Sequence, residues 1–135
     1  MFCLDTNAVI SVLNERTPHI AERLDAEIAR GTTILLSTIV LYELRYGIAK
    51  SMRPERSEAI LDGFLELPVT IAAFEPEDSY HAGDIRAGLA KAGTPIGPYD
   101  VLIAAQARRH GAVLVTANRR EFERVPGLMV TDWMA

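Results

Sequence analysis

The stretch Phe2-Cys3-Leu4-Asp5-Thr6-Asn7-Ala8-Val9-Ile10-Ser11-Val12-Leu13 changes its hydrophobic period at one polar step. Phe2 to Leu4 is a short apolar run of strand type, and from Asn7 onward the apolar residues recur at helical spacing. The segment therefore reads strand, turn, helix. The same pattern returns near the other end, where Ala112-Val113-Leu114-Val115 runs into Thr116-Ala117-Asn118. Between them, Thr33 to Ser37 and Val69 to Ala73 are β-branched and apolar, and each leads into a helix. Ser37 or Thr38 would cap the helix Ile39 to Lys50, and Glu75-Pro76-Glu77-Asp78 would open one running to about Ala92, where Gly93 stops it. Pro18 to Ile28 and Pro54 to Leu67 read as further amphipathic helices, and Leu128 to Val130 as a last short strand. Strands alternating with helices predict an α/β fold. We expect a three-layer α/β/α, Rossmannoid single domain over residues 1–135 with a mainly parallel central sheet.

Composition narrows the function classes. The 135 residues suit one domain, and 49% hydrophobic with 24% charged residues is globular composition. No apolar run could span a bilayer and no secretory signal opens the chain, so a cytoplasmic location without a membrane partner is expected. Cys3, the single cysteine, reads as a small buried hydrophobe. A net charge of −4 argues against bulk electrostatic binding of nucleic acid. The charge is uneven, however, at −5 over residues 1–99 and +1 over 100–135, where Arg108, Arg109, Arg119, Arg120 and Arg124 gather. A polyanion could approach that side, although a solvated mixed-charge face explains the same residues. Arg108, Arg109 and His110 have a structural role in any case, against the negative end of their helix before Gly111.

The acids carry the chemistry. Gly97-Pro98-Tyr99-Asp100-Val101-Leu102-Ile103-Ala104-Ala105 starts a helix with Gly97 as cap, Pro98 in the first position and Asp100 in the first turn. By itself Asp100 could serve only helix initiation. Asp5 sits at a strand's C-terminal end, where open parallel sheets build their sites, or else caps the next helix. Stepping by three and four from Glu43 reaches Ile39, Val40 and Gly47, so this carboxylate lies on or beside an apolar face and needs a partner. Arg45 or a metal could be that partner, and Gly47 would let another backbone approach. Asn118, with Glu121 three residues on, is a helix cap or a member of the same site. Asp5, Glu43, Asp100 and the Thr116 to Asn118 turn can share one edge of the sheet. Their mutual repulsion then calls for a cation, and all-oxygen ligands favour Mg²⁺ or Mn²⁺ over zinc. Carboxylate-held Mg²⁺ suits phosphoryl chemistry.

Leu4-Asp5-Thr6-Asn7, Tyr42-Glu43-Leu44-Arg45-Tyr46-Gly47, Thr94 to Ala105, and Leu114-Val115-Thr116-Ala117-Asn118 with Glu121-Phe122 and Val125-Pro126-Gly127-Leu128 resemble, in this order, the PIN-domain nucleases, specifically the VapC toxins of toxin-antitoxin modules. The resemblance spans essentially the whole chain. It implies a PIN-like fold and a Mg²⁺-dependent endoribonuclease in which Asp5 and Asp100 are metal ligands and Glu43 completes the acidic site. It also implies a VapB-type antitoxin whose C-terminal tail enters the site, and a homodimer. The Glu43 to Gly47 and Thr94 to Ala105 segments are most similar to the subgroup that cuts initiator tRNA in the anticodon region. Where many PIN domains carry a fourth acid, this chain has Asn118, which can orient a water but brings no charge. That puts a second metal ion in question, and Glu121 would substitute if its helix turns inward.

The expected reaction is in-line attack of an ion-activated water on an RNA phosphodiester, leaving 5′-phosphate and 3′-hydroxyl ends. Arg119, Arg120 and Arg124 could meet RNA phosphates. Three rival readings remain. A haloacid dehalogenase-type phosphatase would need a second Asp where Asn7 stands. A non-catalytic RNA- or protein-binding module would not need the acids to hold metal. A non-toxin, RNA-processing PIN nuclease would share the chemistry without the antitoxin.

Overall fold

Five short strands, β1 (Phe2–Leu4), β2 (Ile34–Ser37), β3 (Thr70–Ala72), β4 (Val113–Val115) and β5 (Met129–Thr131), form one sheet in the computed structural model, which describes residues 1–15 and 17–134. The order is β3-β2-β1-β4-β5 and every neighbouring pair is parallel, so the expected mainly parallel sheet is wholly parallel among the described residues. Parallel strands need long crossovers, and the sequence supplies helices for them. These are α1 (Thr6–Leu13) and α2 (Pro18–Ala29) after β1, then α3 (Thr38–Ala49) and α4 (Pro54–Leu65) after β2. α5 (Pro76–Lys91) and α6 (Pro98–His110) follow β3, and the short α7 (Arg119–Phe122) follows β4. Helices cover both faces of the sheet, giving three layers.

The inner strands are buried on both faces, which is why they read as continuous apolar runs rather than alternating ones. Leu4, Ile34, Leu36 and Leu114 have no exposed surface and form the core with Val9, Ile20, Leu24, Ile85 and Ile103. Cys3 is buried, and burial pushes its thiol up to about 12, so it packs as a hydrophobe.

Polar contacts fix the helices at the C-terminal side of the strands. Ser37 caps α3 by accepting from Ile39 N at 2.9 Å, and its hydroxyl also donates to the buried Gln106 of α6. Gln106 in turn donates to the carbonyls of Ala72 and Ala73 at 3.0 and 3.2 Å, which ties α6 to the ends of β2 and β3. Gly97 caps α6, Pro98 is its first residue, and Gly111 ends it at φ 64° in the left-handed region.

Arg108 and Arg109 do more than meet a helix dipole. Arg109 pairs with Asp78 of α5, which is fully buried, and Arg108 donates to His81 Nδ1 at 2.9 Å and to Asp84 at 2.7 Å. Asp78 also accepts from Glu75 N at 2.7 Å, completing a capping box. These bonds clasp the first half of α5 to the last turn of α6, the helix whose first turn carries Asp100.

Candidate metal-dependent active site

The sheet order places a topological switch point beside β1, because the chain builds outward through β2 and β3 and then returns to the other side as β4 and β5. In doubly wound folds the crevice outside the strand ends at such a point is where ligands bind. Asp5 is the first residue past β1, held in register by Asp5 N donating to Val115 O at 3.1 Å. Its carboxylate caps α1 by accepting from Ala8 N at 2.8 Å. The capping and site readings of Asp5 therefore coexist, since the cap leaves oxygen lone pairs free. Asp5 is 5% exposed. Burial raises its pKa, the Thr116 hydroxyl and Ala8 N pull it back, and the charges of Glu43 and Asp132 raise it again, for a net upward shift.

Glu43 enters from α3 and is half-buried. Its partner is not Arg45, which pairs with Glu58 at 3.3 Å, but Thr6, whose hydroxyl donates to Glu43 Oε1 at 2.6 Å. Asp100 enters from the first turn of α6. Its pKa is pushed up to about 6 by burial first, then by the charges of Glu43, Asp5 and Glu121. Gly97 makes room for it, since a Cβ there would lie 3.2 Å from Asp100 Oδ2.

Asn118 departs from the expected cap. It occupies the N-cap position of α7 without accepting from a backbone N–H of the helix, and its Nδ2 donates instead to the Glu121 side chain at 2.9 Å. Its own N–H is satisfied by Thr116 Oγ1 at 2.9 Å. Glu121 is partly buried and its charge acts on Asp100, so α7 turns this acid inward. Gly47 also departs from expectation: no backbone closes on it, and a Cβ would meet nothing within 4 Å. It lines an open groove of about 300 Å³ with Ile10, Leu13, Leu44, Ile48 and Ile60, and Glu43 stands in the same wall.

Sequence reasoning missed Thr6 and Asp132. Thr6 follows Asp5 and a hydroxyl there reads as a spare cap, while Asp132 lies beyond β5 and reaches Asp5 only because β5 lies next to β4. The Asp132 carboxylate is occupied in part by accepting from Met134 N at 2.7 Å.

The donor set is hard oxygen, and its members raise one another's pKa, which a cation would relieve. Among the described residues no group of three or more His, Cys, Asp and Glu side chains is drawn together closely enough to hold a metal ion by itself.

Fold and site together define a doubly wound α/β domain with an acidic site at its switch point, the arrangement of a metal-dependent phosphoryl-transfer enzyme. The comparisons with known proteins narrow this class. Residues 2–128 match the PIN domain model, and the chain belongs to the PIN-domain family. It is 43% identical over 132 residues to the tRNA(fMet)-specific endonuclease VapC of Salmonella typhimurium, covering 98% of this chain and 97% of that one. It is 41% identical over 133 residues to Ribonuclease VapC2 of Haemophilus influenzae, covering 98% of each. Its fold matches VapBC2 from Rickettsia felis, solved bound to a DNA fragment from its promoter, with a TM-score of 0.92 at 36% identity and 98% coverage of both chains. DNA-bound VapBC from Salmonella typhimurium matches with a TM-score of 0.90 at 43% identity, over 98% of this chain and 97% of that one.

Proposed function

We propose that the chain is a Mg²⁺-dependent endoribonuclease and the toxin of a toxin-antitoxin pair, with Mn²⁺ able to replace Mg²⁺ and with initiator tRNA as its substrate. The observation that carries the reading is the convergence of Asp5, Glu43 and Asp100 from β1, α3 and α6, close enough for their charges to act on one another. The substrate assignment rests on the Salmonella relative, a tRNA(fMet)-specific endonuclease at 43% identity.

Asp5 and Asp100 would hold the ion, and Glu43, steadied by Thr6, would complete the acidic face directly or through water. The ion, when bound, supplies Lewis acidity and charge neutralisation at the phosphorus. Asn118, with one amide hydrogen on Glu121, keeps its carbonyl oxygen to orient the attacking water. Glu43, with its second carboxylate oxygen not engaged by Thr6, would accept the proton that such a water releases. Hydrolysis with attack by water leaves 5′-phosphate and 3′-hydroxyl ends.

Partners follow from the neighbours, which are VapBC complexes. The open apolar groove beside Glu43 suits a VapB-type antitoxin segment, and occupation there would cover Glu43. We expect a homodimer within that complex, acting in the cytoplasm on cellular RNA. No described helix is long and apolar enough to cross a membrane.

The test is incubation of antitoxin-free protein with total bacterial RNA and Mg²⁺, beside Asp5→Asn and Asp100→Asn variants, with the RNA ends mapped. Discrete cuts in tRNA that vanish in both variants and in EDTA are expected. Cyclic phosphate ends, or cleavage that persists in EDTA, would overturn the proposed chemistry.

A further inference from the structure

Tyr42 and Tyr99 immediately precede Glu43 and Asp100 in sequence, one on α3 and one on α6. Both rings stay open to solvent, Tyr42 at 50% and Tyr99 at 44% exposure. Their centroids are 5.5 Å apart with planes tilted by 55°, and their hydroxyls approach to 3.5 Å. The rings brace one another, yet their faces are not stacked together. Tyr46, one helical turn beyond Tyr42 on α3, is also exposed, and Lys50 Nζ lies 4.8 Å from its ring centroid. What distinguishes these three tyrosines from an ordinary exposed side chain is that they gather into one patch beside the acids, and such patches mark interaction surfaces.

The charge distribution says what such a surface is for. The acids at the strand ends repel a polyanion, Arg108 and Arg109 lie at the far end of α6 bound to Asp84 and Asp78, Arg119 pairs with Glu123 at 2.9 Å, and Arg124 donates to the carbonyl of Pro95 at 3.3 Å. A nucleic acid brought to these carboxylates therefore gains little from phosphate contacts nearby. An aromatic face offers an uncharged hold on a base, and every base can use it.

We infer that Tyr42 and Tyr99 form a stacking platform for an unpaired RNA base next to the scissile phosphate, with Tyr46 and Lys50 continuing the track along α3. The inference rests on the ribonuclease reading and adds the contact that positions the substrate. Because the pair is anchored on the same two helices as Glu43 and Asp100, a stacked base is set in fixed relation to the acids. The substrate so favoured has a single-stranded loop or bulge, since a base within a duplex presents no free face.

The test uses an RNA hairpin carrying 2-aminopurine in its loop, titrated with the whole protein in EDTA so that binding is read without cleavage. Wild type should quench the fluorophore. Tyr42→Leu and Tyr99→Leu, which keep apolar bulk without a π-face, should lose the quenching and weaken binding roughly ten-fold or more. Tyr42→Phe should restore the quenching, and Tyr80→Leu, a remote exposed site, should behave as wild type. With Mg²⁺ present, the Leu variants should lose more through KM than through kcat. Leu variants that bind and quench as wild type, or cleave with the same KM, would overturn the platform while leaving the ribonuclease reading intact. A wild type that quenches without cutting RNA would do the reverse. If sedimentation shows the Leu variants falling to a smaller oligomer as RNA affinity is lost, the pair is a contact between copies of the chain and the platform is overturned.

Discussion

Asp100 shows at the level of one residue how an acidic site opposes stability. Its pKa lies near 6 in the folded chain against 3.8 ordinarily, so the folded state binds this proton more tightly than the unfolded state does. Stability contributed by that proton is gained as pH falls from about 7 towards 4 and is absent above pH 7. The full linkage is about 3 kcal/mol, and solvent screening of a half-exposed group reduces it to roughly half. Asp5 shifts in the same direction. In EDTA the melting temperature should therefore be higher at pH 5 than at pH 7.5, and Asp100→Asn should melt above wild type at pH 7.5. Calorimetry at the two pH values checks both, and a wild type that melts higher at pH 7.5 would contradict them. Saturating Mg²⁺ at pH 7.5 should stabilise wild type, by about 2.7 kcal/mol at a hundred times Kd, and Asp100→Asn far less. Gly97 belongs to the same site. Gly97→Ala puts a methyl 3.2 Å from the Asp100 carboxylate, which can swing aside, so cleavage should fall several-fold while the melting temperature hardly moves.

Between elements, the α5–α6 clasp centres on a buried ion pair, and it was not legible in the sequence. Asp78 has no exposed surface, and burial by itself would raise its pKa, but Arg109 and the Glu75 N–H outweigh that and hold it below the usual carboxylate range. Its contribution is present at neutral pH and lost as pH falls through the lowered value. Removing Arg109 leaves a buried charge unpaired, so Arg109→Met should destabilise by about 3 to 5 kcal/mol, a fall of roughly ten degrees or more in Tm. Asp78→Asn combined with Arg109→Met should recover much of the loss, which thermal melts of the three variants would show. Local rules read Asp78 as a first-turn acid and Arg109 as a last-turn base, and both readings are true. The partnership joins positions 31 residues apart and exists only once two helices lie side by side. The strands were legible because double-sided burial leaves continuous apolar runs. The local placement of Asp5 past a strand, of Glu43 beside an apolar helix face and of Asp100 in a helix's first turn was legible from pattern alone. Gly47 misled for the opposite reason: a missing side chain marks close approach or open space alike, and here the space is open.

At the scale of the molecule, folding commits much of the basic excess of the last third to contacts within the chain. Arg108 and Arg109 face inward to α5, and Arg119 bonds Glu123 within its own short helix. Arg120 stays exposed and has no ion-pair partner among the described residues. The whole chain is net negative at −4. A protein so built neutralises few phosphates, and each one neutralised on a single strand contributes a slope of about −0.7 to log K against log salt. Binding of an RNA hairpin in EDTA should therefore weaken only mildly with salt, with a slope between about −1 and −3. Fluorescence anisotropy across a salt series measures it. Arg120→Ala should remove about one phosphate's worth of slope and weaken binding alike for different loop sequences. A slope of about −6 or steeper would mean that a basic surface assembles elsewhere, by dimerisation or on an antitoxin, and that the electrostatics of the single chain do not govern RNA capture.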